Sequence, residues 1–175
     1  MNSEKILLVE NNSTYCDSVK KFLEQYGYQV ITADAPEPAL EILPRESPKA
    51  AVIDVRLRDD ADEKDVSGIL LAKEIDSAVP VIILTDYPTY EAVREAMAPT
   101  LDGHPPAVGF VAKQEGLYKL LSAIQLALAR LNRSFEKKLL EAFDAPGLFD
   151  LQKRVVEFGN HASGGLTADT VTRRA

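Results

Sequence analysis

The stretch Ala50-Ala51-Val52-Ile53-Asp54 decides the fold, because a continuous apolar run ends there on a carboxylate. Unbroken runs rich in Val and Ile are typical of strands that are buried on both faces of a parallel sheet. Four more short apolar runs lie along the chain, at residues 6–9, 29–32, 81–84 and 108–112. Together the five runs predict five strands.

Segments with helical spacing separate these runs. The first has an apolar stripe that Gly27 closes as a C-terminal cap. The second begins at residues 36–38, because proline is tolerated only in the first turn of a helix. The apolar residues predicted for the first three helices are Tyr15, Val19, Phe22, Leu23 and Tyr26, then Leu40, Ile42 and Leu43, then Ile69, Leu70, Ala72 and Ile75.

A fourth helix is predicted around residues 89–97 and a fifth from Leu117. Strand and helix then alternate five times, which predicts an α/β fold with a doubly wound, five-stranded parallel sheet. Ligand sites of such sheets lie at the carboxyl ends of the strands, near the switch in strand order. The search for a site therefore begins there.

The fifth helix carries an apolar repeat with heptad spacing that extends to about residue 143. We expect either a homodimer through residues 117–143 or packing of this helix back onto its own domain. The predicted organisation is a first domain at 1–131, a helical extension at 132–159, and at 160–175 a linker with the start of an incomplete helix. The repeat consists of Leu117, Leu121, Ile124, Leu128, Leu131 and Phe135.

Composition excludes several classes of function. The 175 residues include 20 Lys+Arg and 27 Asp+Glu, so the net charge is −7, which argues against direct contact with nucleic acid. The single cysteine, Cys16, fits a reducing compartment. No apolar run approaches the roughly 18 residues of a membrane span, and the N-terminus does not read as a secretory signal. We expect a soluble cytoplasmic protein.

Polar residues follow the predicted strands in a consistent order. Glu10 and Asn11 come after the first strand, Asp54 after the third, Thr85 after the fourth and Lys113 after the fifth. Oxygen ligands with one lysine and one hydroxyl suit Mg²⁺ and a phosphoryl group. Asp54 is then the predicted nucleophile, with the hydroxyl and the lysine on phosphate oxygens.

These motifs resemble the receiver domains of two-component response regulators, over about residues 4–130. The matching stretches are Ile6-Leu7-Leu8-Val9-Glu10-Asn11, Ala51-Val52-Ile53-Asp54, Val81-Ile82-Ile83-Leu84-Thr85 and Gly109-Phe110-Val111-Ala112-Lys113. The resemblance implies a flavodoxin-like receiver fold whose fourth helix, fifth strand and fifth helix form the output face. Each motif is weak alone, and their ordered combination is specific.

The resemblance also implies roles for individual residues. Asp54 would accept a phosphoryl group from a histidine kinase or a phosphotransfer protein, with Lys113 assisting and with Thr85 and Phe110 as the switch pair. The implied cofactor is Mg²⁺. Its implied ligands are Glu10, Asn11, Asp54 and the backbone carbonyl of Arg56. Catalysis would be limited to the chain's own phosphotransfer and dephosphorylation, so a metabolic enzyme is not expected.

Departures from the family pattern favour a second hypothesis, a phosphorylation-independent pseudo-receiver that acts as an interaction or dimerisation module. Glu10-Asn11 is one carboxylate short of the usual acidic pair. The Arg56 guanidinium is predicted to pair with Glu10 or Asp86 and so to imitate the cation. Gln114 replaces the usual proline after the lysine, and residues 58–65 and 98–106 lengthen two loops. An α/β phosphohydrolase is disfavoured, because Arg56 stands where a second acid is needed.

Overall fold

A computed structural model describes residues 3–101 and 103–143, with side chains described to residue 138. Strands and helices alternate along the chain in the predicted order, and a short 3₁₀ turn follows the last strand. The strands are β1 (Lys5–Val9), β2 (Gln29–Ala33), β3 (Ala50–Ile53), β4 (Val81–Thr85) and β5 (Gly109–Ala112). The helices are α1 (Ser13–Gln25), α2 (Pro36–Glu46), α3 (Ser67–Glu74), α4 (Tyr90–Met97) and α5 (Leu117–Phe143).

The five strands form one sheet in the order β2-β1-β3-β4-β5, and every neighbouring pair is parallel. The predicted doubly wound, five-stranded parallel sheet is therefore confirmed. The chain moves from β1 to one edge and then returns past β1 to β3. The switch in strand order lies between these two strands, where a ligand crevice is expected.

The core has two layers because successive side chains point to opposite faces of each strand. Along β1, Leu7 and Val9 pack with buried residues of α2, α3 and α4. Ile6 and Leu8 pack on the other face with α1 and α5. All four side chains are almost completely buried, so β1 is covered on both sides as its continuous apolar run predicts.

Three residues of the predicted apolar helix stripes are exposed. Tyr26, which caps the C-terminus of α1, is 45% exposed. Leu40 of α2 is 36% exposed and Leu70 of α3 is 50% exposed. Leu40 and Leu70 line an open groove between α2 and α3. In α3 the next residue, Leu71, is buried instead. Since each residue turns a helix by about 100°, the burial of Gly68 and Ala72 places Leu70 on the opposite side.

The chain divides into two units, Met1–Leu131 and Asn132–Ala175. In the first unit, the heptad residues Leu121, Ile124 and Leu128 are buried in the core layer of α1 and α5. In the second, Phe135 is 67% exposed. The predicted structure of residues 144–175 lies outside the described residues.

No helix in the described ranges is long and apolar enough to cross a membrane.

We expect the substitution Gly27→Ala to lower the free energy of unfolding by about 1 kcal/mol. Gly27 has φ +86° and follows the C-terminus of α1. Its N–H donates to the Glu24 carbonyl, and the Tyr28 N–H donates to the Leu23 carbonyl. An added methyl group meets no atom within 4 Å, so backbone strain is the whole cost. Urea denaturation measures it. Gly27→Asn should cost less, because asparagine tolerates this region; equal stability of Gly27→Ala and wild type would contradict the argument.

Candidate functional site

Two carboxylates are held side by side at the switch point by their own backbones. The Glu10 N–H donates to the carbonyl of Ala33 on one side, and the Asp54 N–H donates to that of Val9 on the other, each at 3.0 Å. These bonds continue the ladders of β1 beyond its last residue. Glu10 is 2% exposed and Asp54 is 5% exposed, so both acids lie below the surface at the carboxyl ends of neighbouring strands.

Lys113 joins these two acids. Its Nζ lies 2.8 Å from Glu10 Oε2 and 3.0 Å from Asp54 Oδ2. It lies 3.6 Å from Oδ2 of the half-exposed Asp86. The same ammonium stands 4.5 Å from the centre of the Tyr15 ring. The lysine therefore supplies a buried positive charge where the ends of β1, β3, β4 and β5 meet.

Burial and charge act in opposite directions on these groups. Burial raises the pKa of Asp54 above its ordinary value, although Lys113 and the Val55 N–H partly offset the increase. Burial also raises the pKa of Glu10, and the hydrogen bond from Lys113 partly offsets this increase. Burial alone would lower the pKa of Lys113, but its contacts with Glu10 and Asp54 raise it. We therefore expect a charged lysine facing carboxylates that take up protons more readily than exposed ones.

The loop after β4 holds the predicted hydroxyl beside Asp54. Thr85 is 1% exposed, and its hydroxyl oxygen accepts a hydrogen bond of 3.2 Å from the Tyr87 N–H. Gln114 lies in the 3₁₀ turn Lys113–Glu115 and donates from Nε2 to the Asp86 carbonyl at 2.9 Å. Gln114, which replaces the family's proline, thus connects the turn that holds Lys113 to the loop that follows Thr85. Phe110, the predicted switch aromatic, is partly buried against the core layer of α2, α3 and α4.

The residues present fit a hard cation such as Mg²⁺. The side-chain amide of Asn11 donates from Nδ2 to Asp60 Oδ1 at 3.1 Å. The other amide atom, Asn11 Oδ1, is buried and has no hydrogen-bond partner, so it is available to a cation. Glu10 and Asp54 supply carboxylates at the same strand ends. No three His, Cys, Asp or Glu side chains form a metal cluster in the described ranges, but Mg²⁺ commonly takes one or two carboxylates and completes its shell with other oxygens.

Arg56 does not make the predicted pairing with Glu10 or Asp86; Lys113 lies beside both instead. The Arg56 guanidinium donates from Nη1 to the backbone carbonyl of Asp60 at 2.7 Å. It also stacks over the Tyr87 ring, 4.0 Å from the centroid. The long loop brings Asp60 within reach, which sequence spacing did not reveal, so the guanidinium has a neutral acceptor and a ring as partners.

Four residues at the site were missed or given other roles by the sequence patterns. Tyr15 was assigned to the core stripe of α1, yet its ring contacts Lys113. Asp60 and Tyr87 lie in loops and carry no periodic signal. Gly68 stands so close to the strand end that a Cβ there would lie 1.7 Å from the Asp54 carbonyl oxygen. The adjacent Ser and Gly after the acidic loop were the one available hint of such an approach.

The doubly wound parallel sheet with a buried aspartate, lysine and threonine at its strand ends is the arrangement that the resemblance to receiver domains implies. The family model of the response regulator receiver domain matches residues 6–125. The chain belongs to this family, whose members act in two-component signalling and interact with kinases and downstream effector domains.

Similar proteins agree with this assignment. The transcriptional regulatory protein ZraR of Escherichia coli (strain K12) is 30% identical over 95 residues, which are 53% of this chain and 20% of ZraR. The probable transcriptional regulator ycf27 of Porphyridium aerugineum is 33% identical over 85 residues, 49% of this chain and 34% of that protein. The chain thus covers only a fifth to a third of the length of these relatives.

Solved structures share the fold. A CheY-like receiver domain protein from Methanospirillum hungatei has a TM-score of 0.62 at 23% identity, over 76% of this chain and 99% of that one. NtrX from Brucella abortus, solved in complex with ADP, has a TM-score of 0.66 at 22% identity, over 79% of this chain and 30% of that one. At these identities the likeness establishes the flavodoxin-like receiver fold.

Proposed function

We propose that this chain accepts a phosphoryl group on Asp54 and passes the resulting change of conformation to a partner or a further domain. The observation that carries the proposal is the contact of Lys113 Nζ with Asp54 Oδ2 at 3.0 Å. An ammonium bound to a buried carboxylate oxygen can also bind the oxygens of a phosphoryl group on that carboxylate. Thr85 supports the proposal, because its hydroxyl is buried beside the same aspartate.

The proposed reaction is the transfer of a phosphoryl group from a phosphohistidine of the donor protein to Asp54. An Asp54 carboxylate oxygen forms a bond to phosphorus while the bond from phosphorus to the donor's imidazole nitrogen breaks, and that nitrogen keeps the electron pair. The product is an acyl phosphate on Asp54. The Val55 N–H, 2.7 Å from Asp54 Oδ1, orients the carboxylate for attack. Hydrolysis of the acyl phosphate resets the site, and no other catalytic activity is proposed.

Magnesium is the proposed cofactor. Glu10, Asn11 and Asp54 would hold the ion together with the backbone carbonyl of Arg56. When bound, Mg²⁺ would supply positive charge that offsets the negative charge on the phosphoryl oxygens during transfer. The chain's own contribution is the orientation of these oxygens. The Asn12 N–H holds Glu10 Oε1 at 3.1 Å, and Asp60 holds the Asn11 amide.

The proposed output face is formed by α4, β5 and α5. Tyr90, Val93 and Met97 of α4 are exposed apolar side chains, and the switch pair Thr85 and Phe110 lies on the two adjacent strands β4 and β5. A histidine kinase or phosphotransfer protein is the proposed donor, in the cytoplasm. The homodimer through residues 117–143 stays a prediction.

Intact mass after incubation with Mg²⁺ and acetyl phosphate tests this function. We expect the wild-type chain to gain the mass of one phosphoryl group, because Asp54 is oriented by Val55 and faces the Lys113 charge. Asp54→Asn should gain none, since an amide cannot form the acyl phosphate. An equal gain in both chains would contradict the assignment of Asp54. No gain in either would favour the pseudo-receiver, for which Asn11 and Arg56 are the supporting residues.

A further inference from the structure

We propose that Arg56 is a second cationic ligand for the phosphoryl group at Asp54, and that it reduces the dependence of the site on Mg²⁺. The inference rests on the proposed function and adds a specific residue to it. The ligand class is a small tetrahedral oxyanion: the transferred phosphoryl group or an analogue of it.

The first support is that Arg56 is buried and that neither of its described side-chain contacts is with a charged group. Arg56 is 8% exposed. Its guanidinium donates to the Asp60 carbonyl and stacks over the Tyr87 ring, and neither contact carries a negative charge. A guanidinium presents five N–H donors in a plane and is well matched to phosphate oxygens. Only Nη1 is used by the Asp60 carbonyl, so donors remain for an anion.

The second support is the position of the guanidinium between the two loops that border Asp54. On one side its acceptor, Asp60, also accepts a hydrogen bond from Asn11, which directly follows Glu10. On the other side its stacking partner, Tyr87, donates a backbone hydrogen bond to Thr85. Arg56 follows Asp54 by two residues. Its partners thus belong to the segments that hold the metal-binding oxygens and the hydroxyl of the site.

The third support is the balance of buried charge. By formal charge the buried Glu10 and Asp54 are balanced by the buried side chains of Lys113 and Arg56 without a metal ion. The half-exposed Asp86, 3.6 Å from Lys113, adds one negative charge at the rim of the site. With Asn11 in place of a second acidic residue after β1, the site holds one fewer carboxylate to attract a divalent cation. An incoming phosphoryl group adds negative charge at Asp54, two residues before Arg56, between the loops that hold the two partners of the guanidinium. Part of the neutralisation that Mg²⁺ provides is therefore present in the chain itself.

Binding of beryllium trifluoride, a phosphoryl analogue, separates these contributions. Protein freed of divalent ions is titrated with beryllium and fluoride, with and without Mg²⁺, and the bound ligand is followed by ¹⁹F NMR. We expect wild type to bind under both conditions. Without Mg²⁺, Arg56→Met should weaken binding by at least about tenfold, as expected for loss of a charge-assisted hydrogen bond. Arg56→Lys should lie between them, because it keeps the charge and loses the planar donors.

Arg58→Met is the matched control. Arg58 lies in the same loop, but its side chain pairs with Glu37, so its loss should leave binding unchanged. Urea denaturation of each variant checks that the fold is retained. The inference is overturned if Arg56→Met binds as tightly as wild type without Mg²⁺, or if wild type binds only with Mg²⁺. No binding to wild type under either condition rejects the proposed function as well.

Discussion

Replacing Lys113 by Met is expected to lower the free energy of unfolding at pH 8 by about 3–5 kcal/mol, because it leaves two buried carboxylates without their shared cation. Glu10 and Asp54 lie 2.8 and 3.0 Å from Lys113 Nζ. Phosphorylation of Asp54 should be lost in the same variant. Urea denaturation and intact mass measure the two effects.

The loss of stability in Lys113→Met should depend on pH. Burial already raises the pKa of Glu10 and of Asp54, and removal of the neighbouring positive charge raises both further. A carboxyl group whose pKa is higher in the folded state binds more protons there than in the unfolded chain. Its contribution to stability therefore falls as pH rises from its ordinary pKa, near 4, through the raised value. We expect the variant to recover part of its stability as the pH is lowered from 8 toward the ordinary carboxyl pKa near 4.

Lys73→Met is the control for Lys113→Met. The ion pair between Lys73 and Glu95 is short, at 2.6 Å, but both side chains are more than a third exposed. Its removal should cost no more than about 1 kcal/mol, because an ion pair exposed to solvent contributes little to stability. If the two lysine substitutions had equal effects, burial would not be the reason for the importance of Lys113.

Gly68→Ala is expected to destabilise the domain by more than about 3 kcal/mol and to abolish phosphorylation. A Cβ at this position would lie 1.7 Å from the Asp54 carbonyl oxygen and 2.8 Å from its carbon. Both are backbone atoms, so a change of side-chain rotamer cannot relieve the contact. Helix α3 would have to move away from the strand end, and the Gly68 N–H would lose its 2.9 Å bond to the Val55 carbonyl.

Gly109→Ala tests whether this cost comes from close packing. A Cβ on Gly109 would meet only the Ile82 side chain, at 3.5 Å or more, which is an ordinary contact. We expect that variant to stay within about 1 kcal/mol of wild type. The urea midpoints of both variants give the comparison. A Gly68→Ala protein as stable as Gly109→Ala would show that α3 does not rest on the Asp54 backbone as described.

The sequence determined the sheet and the residues at its strand ends. Runs such as Ala50–Ile53 and Val81–Thr85 are unbroken because both faces of a parallel strand are buried, so their number and order are readable along the chain. Parallel strands place their carboxyl ends on one edge, and for that reason Glu10, Asp54 and Lys113 could be grouped before any contact was known. The positions of the apolar runs along the chain, and of the polar residues that follow them, were enough to predict this edge of the sheet.

Only the tertiary structure decided which groups pair at that edge. Lys113 lies between Glu10 and Asp54, although 59 residues separate it from Asp54. Arg56 was predicted to pair with Glu10 or Asp86. It contacts Asp60 and Tyr87 instead. The contact of Lys113 with Asp54 and the stacking of Arg56 on Tyr87 each join segments far apart in the chain. Arg56 and Asp60 are only four residues apart, but they lie in a loop, whose path leaves no periodic pattern in the sequence.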